Sequence, residues 1–325
     1  MNTQHLLDTE LAAIVKQMPA GQFRLDDLPG TRAAAAQMAA AMQALLPACP
    51  GIEVAEQLIA AAAGSPAVRV LIYRPRGATG PLPALLWIHG GGYVLGQAKW
   101  DDFIVQPIAA ELGCVLVSVD YRLAPETPHP GPLEDCYAAL RWLHQNAEGL
   151  GVDAGRIAIA GLSAGGGLAA ALGLLARDRR QVPIVFQALL QPMLDDRTAV
   201  TADPHPMAGE FVWTREFNHF GWSALLGGAA PGSEGVSPYA AAARADSLAG
   251  LPPTFIAVGA LDLFVEENIE YARRLMRDGV PTELHVYPGA CHAFHVLAPQ
   301  SAIAQAHDKA FIAALKRALA AADPA

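Results

Sequence analysis

Residues 157–176 read IAIAGLSAGGGLAAALGLLA. The opening IAIA is short and apolar, as a buried strand is, and the Ala- and Leu-rich end suits a helix. The whole run carries no charge, and its length alone would suit a membrane span. Gly161, Gly165, Gly166, Gly167 and Gly173 argue against a span and for strand, tight turn and helix. In that setting Gly161-Leu162-Ser163-Ala164-Gly165 is a GxSxG turn. Small residues at 161 and 165 let strand and helix approach, and Ser163 is pushed out at the top of the sheet. The helix N-terminus behind it offers N–H groups to a developing anion. Without the strand–turn–helix context the pattern would say little.

Other strands are expected on both sides of this turn. VRVLIY (68–73), ALLWI (84–88) and VLVSV (115–119) precede it. Residues 184–190, 254–258 and 283–287 follow. Helical periods lie between them: Leu133, Cys136, Tyr137, Leu140 and Leu143; then Ile269, Ala272, Leu275 and Met276, stopped by Gly279; then Phe311, Leu315 and Leu319. Apolar strands alternating with helices predict an α/β fold, a mostly parallel sheet covered on both faces. The strands between Val54 and Tyr73 have no helix between them, so an antiparallel pair is expected at that edge. The first fifty residues are Ala-rich and helical in pattern, punctuated by Pro19, Pro29, Pro47 and Pro50. Residues 195–245 show no strand pattern but carry Trp213, Phe217, Phe220 and Trp222 at roughly helical spacing. They read equally well as a lid or as the core aromatics of a peripheral helix. The expected organisation is a helical cap segment at 1–50, an α/β core at 51–194, a cap insertion at 195–235 and the rest of the core at 236–325.

The chain has 325 residues, of which 53% are hydrophobic and 16% charged, which excludes disorder and coiled coil. Lys plus Arg is 22 against 31 Asp plus Glu, a net charge of −9. No broad basic face follows from that, so nucleic acid is not an expected partner. Cys49, Cys114, Cys136 and Cys291 form no CxxC pair and no disulfide framework, and three of the four are expected to be buried. The start, MNTQHLLDTE, has neither a basic beginning nor an apolar run, so no signal peptide is expected there and the expected location is cytoplasmic.

His89-Gly90-Gly91-Gly92 ends the strand ALLWI. Consecutive glycines let several backbone N–H groups point at one oxygen, as a tetrahedral oxyanion requires. The candidate donors are Gly91, Gly92 and Ala164. Phosphate cradling is disfavoured, since neither GK[ST] nor GxGxxG is present. A serine nucleophile needs a base, and the base an orienter. His292 follows the strand ELHVY and Asp262 follows TFIAV, both at the C-terminal strand edge where open α/β sheets bind ligands. His295 is the rival base, and Asp195 or Asp196 the rival orienter; His285, inside a strand, reads as structural. The order Ser163, Asp262, His292 is that of the α/β-hydrolases.

HGGG at 89–92, DYRLAPE at 120–126, GLSAGG at 161–166, SPYAA at 237–241, Asp262 and His292 together resemble the hormone-sensitive-lipase-like branch of the α/β-hydrolases. The resemblance runs from about Val54 to the end, with a family-like helical segment before it. It implies a carboxylesterase for short- to medium-chain acyl esters, with no metal or cofactor, whose oxyanion is held by Gly91, Gly92 and Ala164. It also implies that Tyr93 and the cap aromatics border the acyl pocket. Tyr121, Arg122 and Glu126 would be structural, with the arginine paired to carboxylates beneath the oxyanion loop. The chain departs from the family at Leu162, where Asp is usual or Thr in a sister group. Leu162 removes a polar contact behind the turn and becomes a candidate substrate-binding residue. Leu263-Phe264 replaces a frequent Pro-Leu after the acid, a change that reads as neutral. Cys291 reads as passive.

The same triad would serve an amidase or small peptidase. A non-catalytic binding module is a third reading, because plant hormone receptors of this fold lack the catalytic histidine; here His292 is present. Dehalogenase or epoxide-hydrolase chemistry would need Asp at position 163. With a histidine base, activity should disappear below about pH 6. The strand at 283–287 offers an edge on which a second copy could pair, giving a homodimer.

Overall fold

Eight strands form one sheet in a computed structural model that describes residues 3–17, 24–45, 49–61 and 64–320. In chain order the elements are α1 (Thr9–Val15), α2 (Leu28–Leu45), β1 (Ile52–Ile59), β2 (Val68–Pro75), β3 (Leu82–Ile88), α3 (Asp102–Leu112), β4 (Val115–Asp120), α4 (Gly131–Gln145), β5 (Val152–Leu162) and α5 (Ala164–Arg179). Then come β6 (Phe186–Leu190), α6 (Arg215–Leu226), β7 (Thr254–Gly259), α7 (Val265–Arg277), β8 (Thr282–Tyr287), α8 (Phe294–Leu297) and α9 (Ala302–Leu319). Pro19 and Pro47 lie outside the described residues.

The sheet order is β1-β2-β4-β3-β5-β6-β7-β8. β1 and β2 pair antiparallel, and β2 runs antiparallel to β4; from β4 onward every pairing is parallel. The expected antiparallel edge is therefore present. β1 is exposed along its middle, as its sequence IEVAEQLI allows, and charge there protects an unpaired edge.

Alternation along the strands sorts side chains onto two faces. Leu86, Ile88, Val117 and Ile159 pack with Leu140 of α4, Leu172 of α5 and Leu275 of α7. Leu85, Trp87, Leu116 and Ala160 pack with Ile108 of α3 and Leu315 of α9. The uncharged run at 157–176 is divided between β5 and α5, and no helix among the described residues is long and apolar enough to cross a membrane.

Strand ends differ from expectation by a residue or two, except that β5 begins at Val152, five residues ahead of the expected start at 157. β6 begins at Phe186 rather than 184, and β2 continues through Pro75, which pairs with Ile52 beside the sheet margin. α7 stops as expected, with Gly279 at φ +79° just beyond it. The aromatic stripe of 195–245 divides between both readings. Trp222 on α6 is core, tilted against Tyr93 at 5.3 Å, whereas Trp213 stands before α6 near His292.

Candidate active site

The turn from β5 to α5 is built on close backbone approach. A Cβ on Gly161 would lie 2.2 Å from the Gly165 carbonyl oxygen, and one on Gly165 would lie 2.1 Å from that of Ile88. Only glycine fits at either position. Ser163 between them holds φ +57° and ψ −119°, a conformation that costs an L residue roughly 1–3 kcal/mol. Its backbone is pinned: its N–H donates to Leu190 O, and its carbonyl accepts from Gly167 and Met193. The turn thus raises the hydroxyl above the sheet and the α5 N-terminus below it.

Ser163 Oγ lies 2.8 Å from His292 Nε2, and His292 Nδ1 lies 2.7 Å from Asp262 Oδ2. All three residues are buried. The other Asp262 oxygen accepts the Phe264 N–H at 3.0 Å, and the Phe264 ring meets His292 nearly at right angles, centroids 5.2 Å apart. The Asp262 bond comes from the backbone N–H of residue 264 and would survive a change of side chain; what Phe264 itself adds is the ring contact with the imidazole. Asp262 faces Nδ1, so that nitrogen carries the proton and Nε2 presents a lone pair to Ser163.

The rivals are occupied elsewhere. Asp195 pairs with Arg197, and buried Asp196 takes a two-pronged ion pair from Arg244 and the N–H of Gly232. His295 faces Gln191, and His285 bonds Glu283 on its own strand. Cys291 is buried beside Asp262; burial first and that carboxylate second push its thiol up to about 12. It holds no thiolate at neutral pH and stays passive. Cys114 and Cys136 are buried too, while Cys49 is partly exposed; all four are free thiols.

The HGGG loop lies alongside. Gly91 has φ +117° and Gly92 φ +59°. Among the described residues the N–H groups of Gly91, Gly92 and Ala164 donate to no protein acceptor. The loop is supported from beneath: Tyr121 donates to His89 O at 3.0 Å, and its ring stacks on His89 at 4.2 Å. Arg122 is clamped by Asp135 through its side chain and its N–H. Glu126, expected to share that arginine, pairs instead with Arg32 of α2, which also reaches the carbonyls of Val94 and Ala124. This guanidinium ties α2 to the chain just beyond the HGGG loop.

The structure corrects the expectation for Tyr93. Its side chain is wholly buried, and its hydroxyl donates to Met193 O at 3.0 Å. The phenol braces the loop from behind and leaves the pocket wall to others. Leu162 does line a cavity of about 240 Å³ with Gly90, Gly91, Met38, Phe103, Ile104 and Val296. One polar group there is Asp101, which burial raises to about 7 although the Trp87 indole N–H donates to it. The sequence reading also missed how closely Trp213 caps the site. A Cβ on Gly92 would lie 2.0 Å from its ring, and the ring is 6.4 Å from that of His292. The sequence offers no signal for its backbone setting: Val212 before it has φ +65°, unusual for a β-branched residue.

A family model described as an alpha/beta hydrolase fold matches residues 85–296. This chain belongs to the hormone-sensitive-lipase-like α/β-hydrolases. The hydrolase is 36% identical to Esterase LipI of Mycobacterium tuberculosis over 222 residues, 65% of each chain. It is also 36% identical to Carboxylesterase NlhH of that organism over 259 residues, 78% of this chain and 79% of the relative. Among solved structures it superposes on a bacterial heroin esterase with a TM-score of 0.92 and 40% identity, over 98% of this chain and all of the other.

Proposed function

We propose that this hydrolase is a serine carboxylesterase that cleaves short- to medium-chain acyl esters through an acyl-enzyme. The observation that carries the proposal is the continuous hydrogen-bonded line Ser163–His292–Asp262 at 2.8 and 2.7 Å. Its esterase relatives support the substrate class.

Ser163 Oγ attacks the ester carbonyl while His292 Nε2 takes its proton. Asp262 keeps the imidazole in the required tautomer and balances the imidazolium. The oxyanion is received by the N–H groups of Gly91, Gly92 and Ala164, each worth about 3 kcal/mol at the transition state. Collapse expels the alcohol, which takes the proton from His292. Water then repeats the cycle on the acyl-enzyme, with His292 again as base. No step calls for a metal or cofactor. Leu162 serves as a substrate-binding wall, in keeping with its place in the cavity. Residues 1–50 and 195–235 act as the cap, supported by the Arg32 clamp and by Trp213 over Gly92.

A small ester fits the net charge of −9 better than nucleic acid does. Four free thiols fit a reducing compartment such as the cytoplasm. β8 is a sheet edge with Val286 exposed, which supports pairing with a second copy; light scattering would read the dimer.

The deciding test is hydrolysis of p-nitrophenyl esters from acetate to palmitate by wild type and Ser163→Ala. The wild type should peak at short to medium chains. The variant should lose kcat by roughly 10⁴–10⁶-fold with little change in substrate affinity. Comparable turnover by the variant, or a wild type inert on every ester, would overturn the proposal.

A further inference from the structure

We infer that Gln191 is a positioning residue for His292, holding the loop that carries the base through an amide whose orientation His295 fixes. The inference rests on the proposed role of His292, in which Gln191 takes no part.

Gln191 stands directly after β6 and is fully buried. Its φ of +48° is uncommon for a residue with a side chain. Its N–H is fastened to Ala257 O on β7 at 2.7 Å. The backbone is thus fixed to the sheet, and the side chain crosses to the loop after β8. There Oε1 accepts the N–H of Ala293 at 2.6 Å, while Nε2 lies 3.1 Å from His295 Nδ1. Ala293 itself is in the left-handed region at φ +56°. One amide therefore grips the chain one residue and three residues beyond the base.

The orientation of that amide follows from donor counting. The Ala293 N–H can only donate, so the Gln191 oxygen faces it. The NH₂ group then faces His295, whose Nδ1 must accept, and the proton of His295 sits on Nε2. His295 is held to this task by its neighbours. Its ring stacks on His307 at 4.2 Å and meets Phe294 edge-on at 5.6 Å. His307 is held in turn by Asp308 at 2.8 Å. The line from α9 to the base loop runs Asp308, His307, His295, Gln191, Ala293.

A buried amide at a strand end costs stability unless both of its ends are satisfied. Packing alone would be served by an apolar side chain. What an apolar side chain lacks is the hold on Ala293, and a misplacement of about 1 Å can cost as much as 100-fold in rate.

The test compares Gln191→Leu, Gln191→Glu and His295→Phe with wild type, using rates per active site counted by organophosphate titration. Gln191→Leu should lower kcat about 10- to 100-fold with KM changed less than about twofold. Gln191→Glu should recover kcat to within about threefold, because its carboxylate accepts from Ala293 while His295 moves its proton to Nδ1 and donates. His295→Phe frees the other end of the amide and should cost an intermediate amount. Combined with Gln191→Leu it should add little, as residues in one network do. A merely structural glutamine would lower the melting temperature and the number of titratable sites while leaving kcat per site unchanged. That result, or a Glu variant as slow as the Leu variant, overturns the inference. If Gln191→Leu yields no titratable sites, an unchanged kcat in His295→Phe overturns it. Wild-type turnover and its loss in Ser163→Ala test the role of the triad separately.

Discussion

Position 162 shows how one side chain sets the character of a cavity. Leu162 sits directly before the nucleophile, and its cavity neighbours include Met38, Phe103, Ile104 and Val296. A carboxylate introduced there would have to leave water among apolar groups. Leu162→Asp should therefore raise KM for apolar acyl esters and lower kcat/KM by about tenfold. The ester series measures this directly, and a KM equal to that of the wild type would show that the cavity does not receive substrate. Tyr93 is the opposite case. It adjoins HGGG, yet its hydroxyl is spent on Met193 O, so adjacency in sequence did not bring it to the pocket.

At the scale of elements, the glycines of the β5–α5 turn and of the HGGG loop beside it differ in how much they tolerate. A Cβ on Gly165 meets the Ile88 carbonyl at 2.1 Å, backbone against backbone, with no rotamer to relieve it. A Cβ on Gly90 meets the Leu162 carbonyl at 3.1 Å, a distance that a few tenths of an ångström of movement would ease. Gly165→Ala should abolish soluble folded enzyme or cost several kcal/mol, while Gly90→Ala should fold with a much smaller loss. Urea denaturation of both variants decides this, and equal midpoints would contradict the packing argument. The strands and helices around this turn were largely legible in sequence, because buried parallel strands read as unbroken apolar runs. Their ends were less so. β6 begins at Phe186, opposite Ala158 of β5, although the Val185 N–H still donates to the Ile157 carbonyl at 2.9 Å, so its apolar run is longer than its regular ladder.

For the whole molecule, the buried histidines link stability to pH. Burial first, and the charge of His285 second, push His307 down from 6.5 to about 3. Burial and then His307 push His295 well below its usual value. Both are neutral in the fold, whereas an unfolded chain protonates them below about 6.5. Their contribution is fully present above pH 6.5 and is lost as pH falls toward about 3. The slope is about 1.4 kcal/mol per pH unit for each such group. Asp308, raised by its own burial, opposes part of the loss at the acid end. Urea midpoints should fall steadily between pH 6.5 and 3 and fall less steeply in His307→Phe. A midpoint independent of pH in the wild type would show that these imidazoles are not neutral in the fold.

The sequence alone determined the fold class, the nucleophile turn, the HGGG loop and the order of serine, acid and histidine. Each is a local pattern: an apolar run, a glycine where no Cβ fits, a polar residue just beyond a strand. Tertiary structure decided what depends on residues far apart in the chain. It chose His292 over His295 by placing one against Asp262 and Ser163 and the other against Gln191. It took Asp195 and Asp196 out of contention by giving them arginines. It set Trp213 over Gly92, moved Tyr93 behind the loop and paired Glu126 with Arg32 instead of Arg122. The physical reason is that a motif fixes backbone shape over a few residues, whereas the partner of a side chain is fixed only when the sheet has brought its strand ends together.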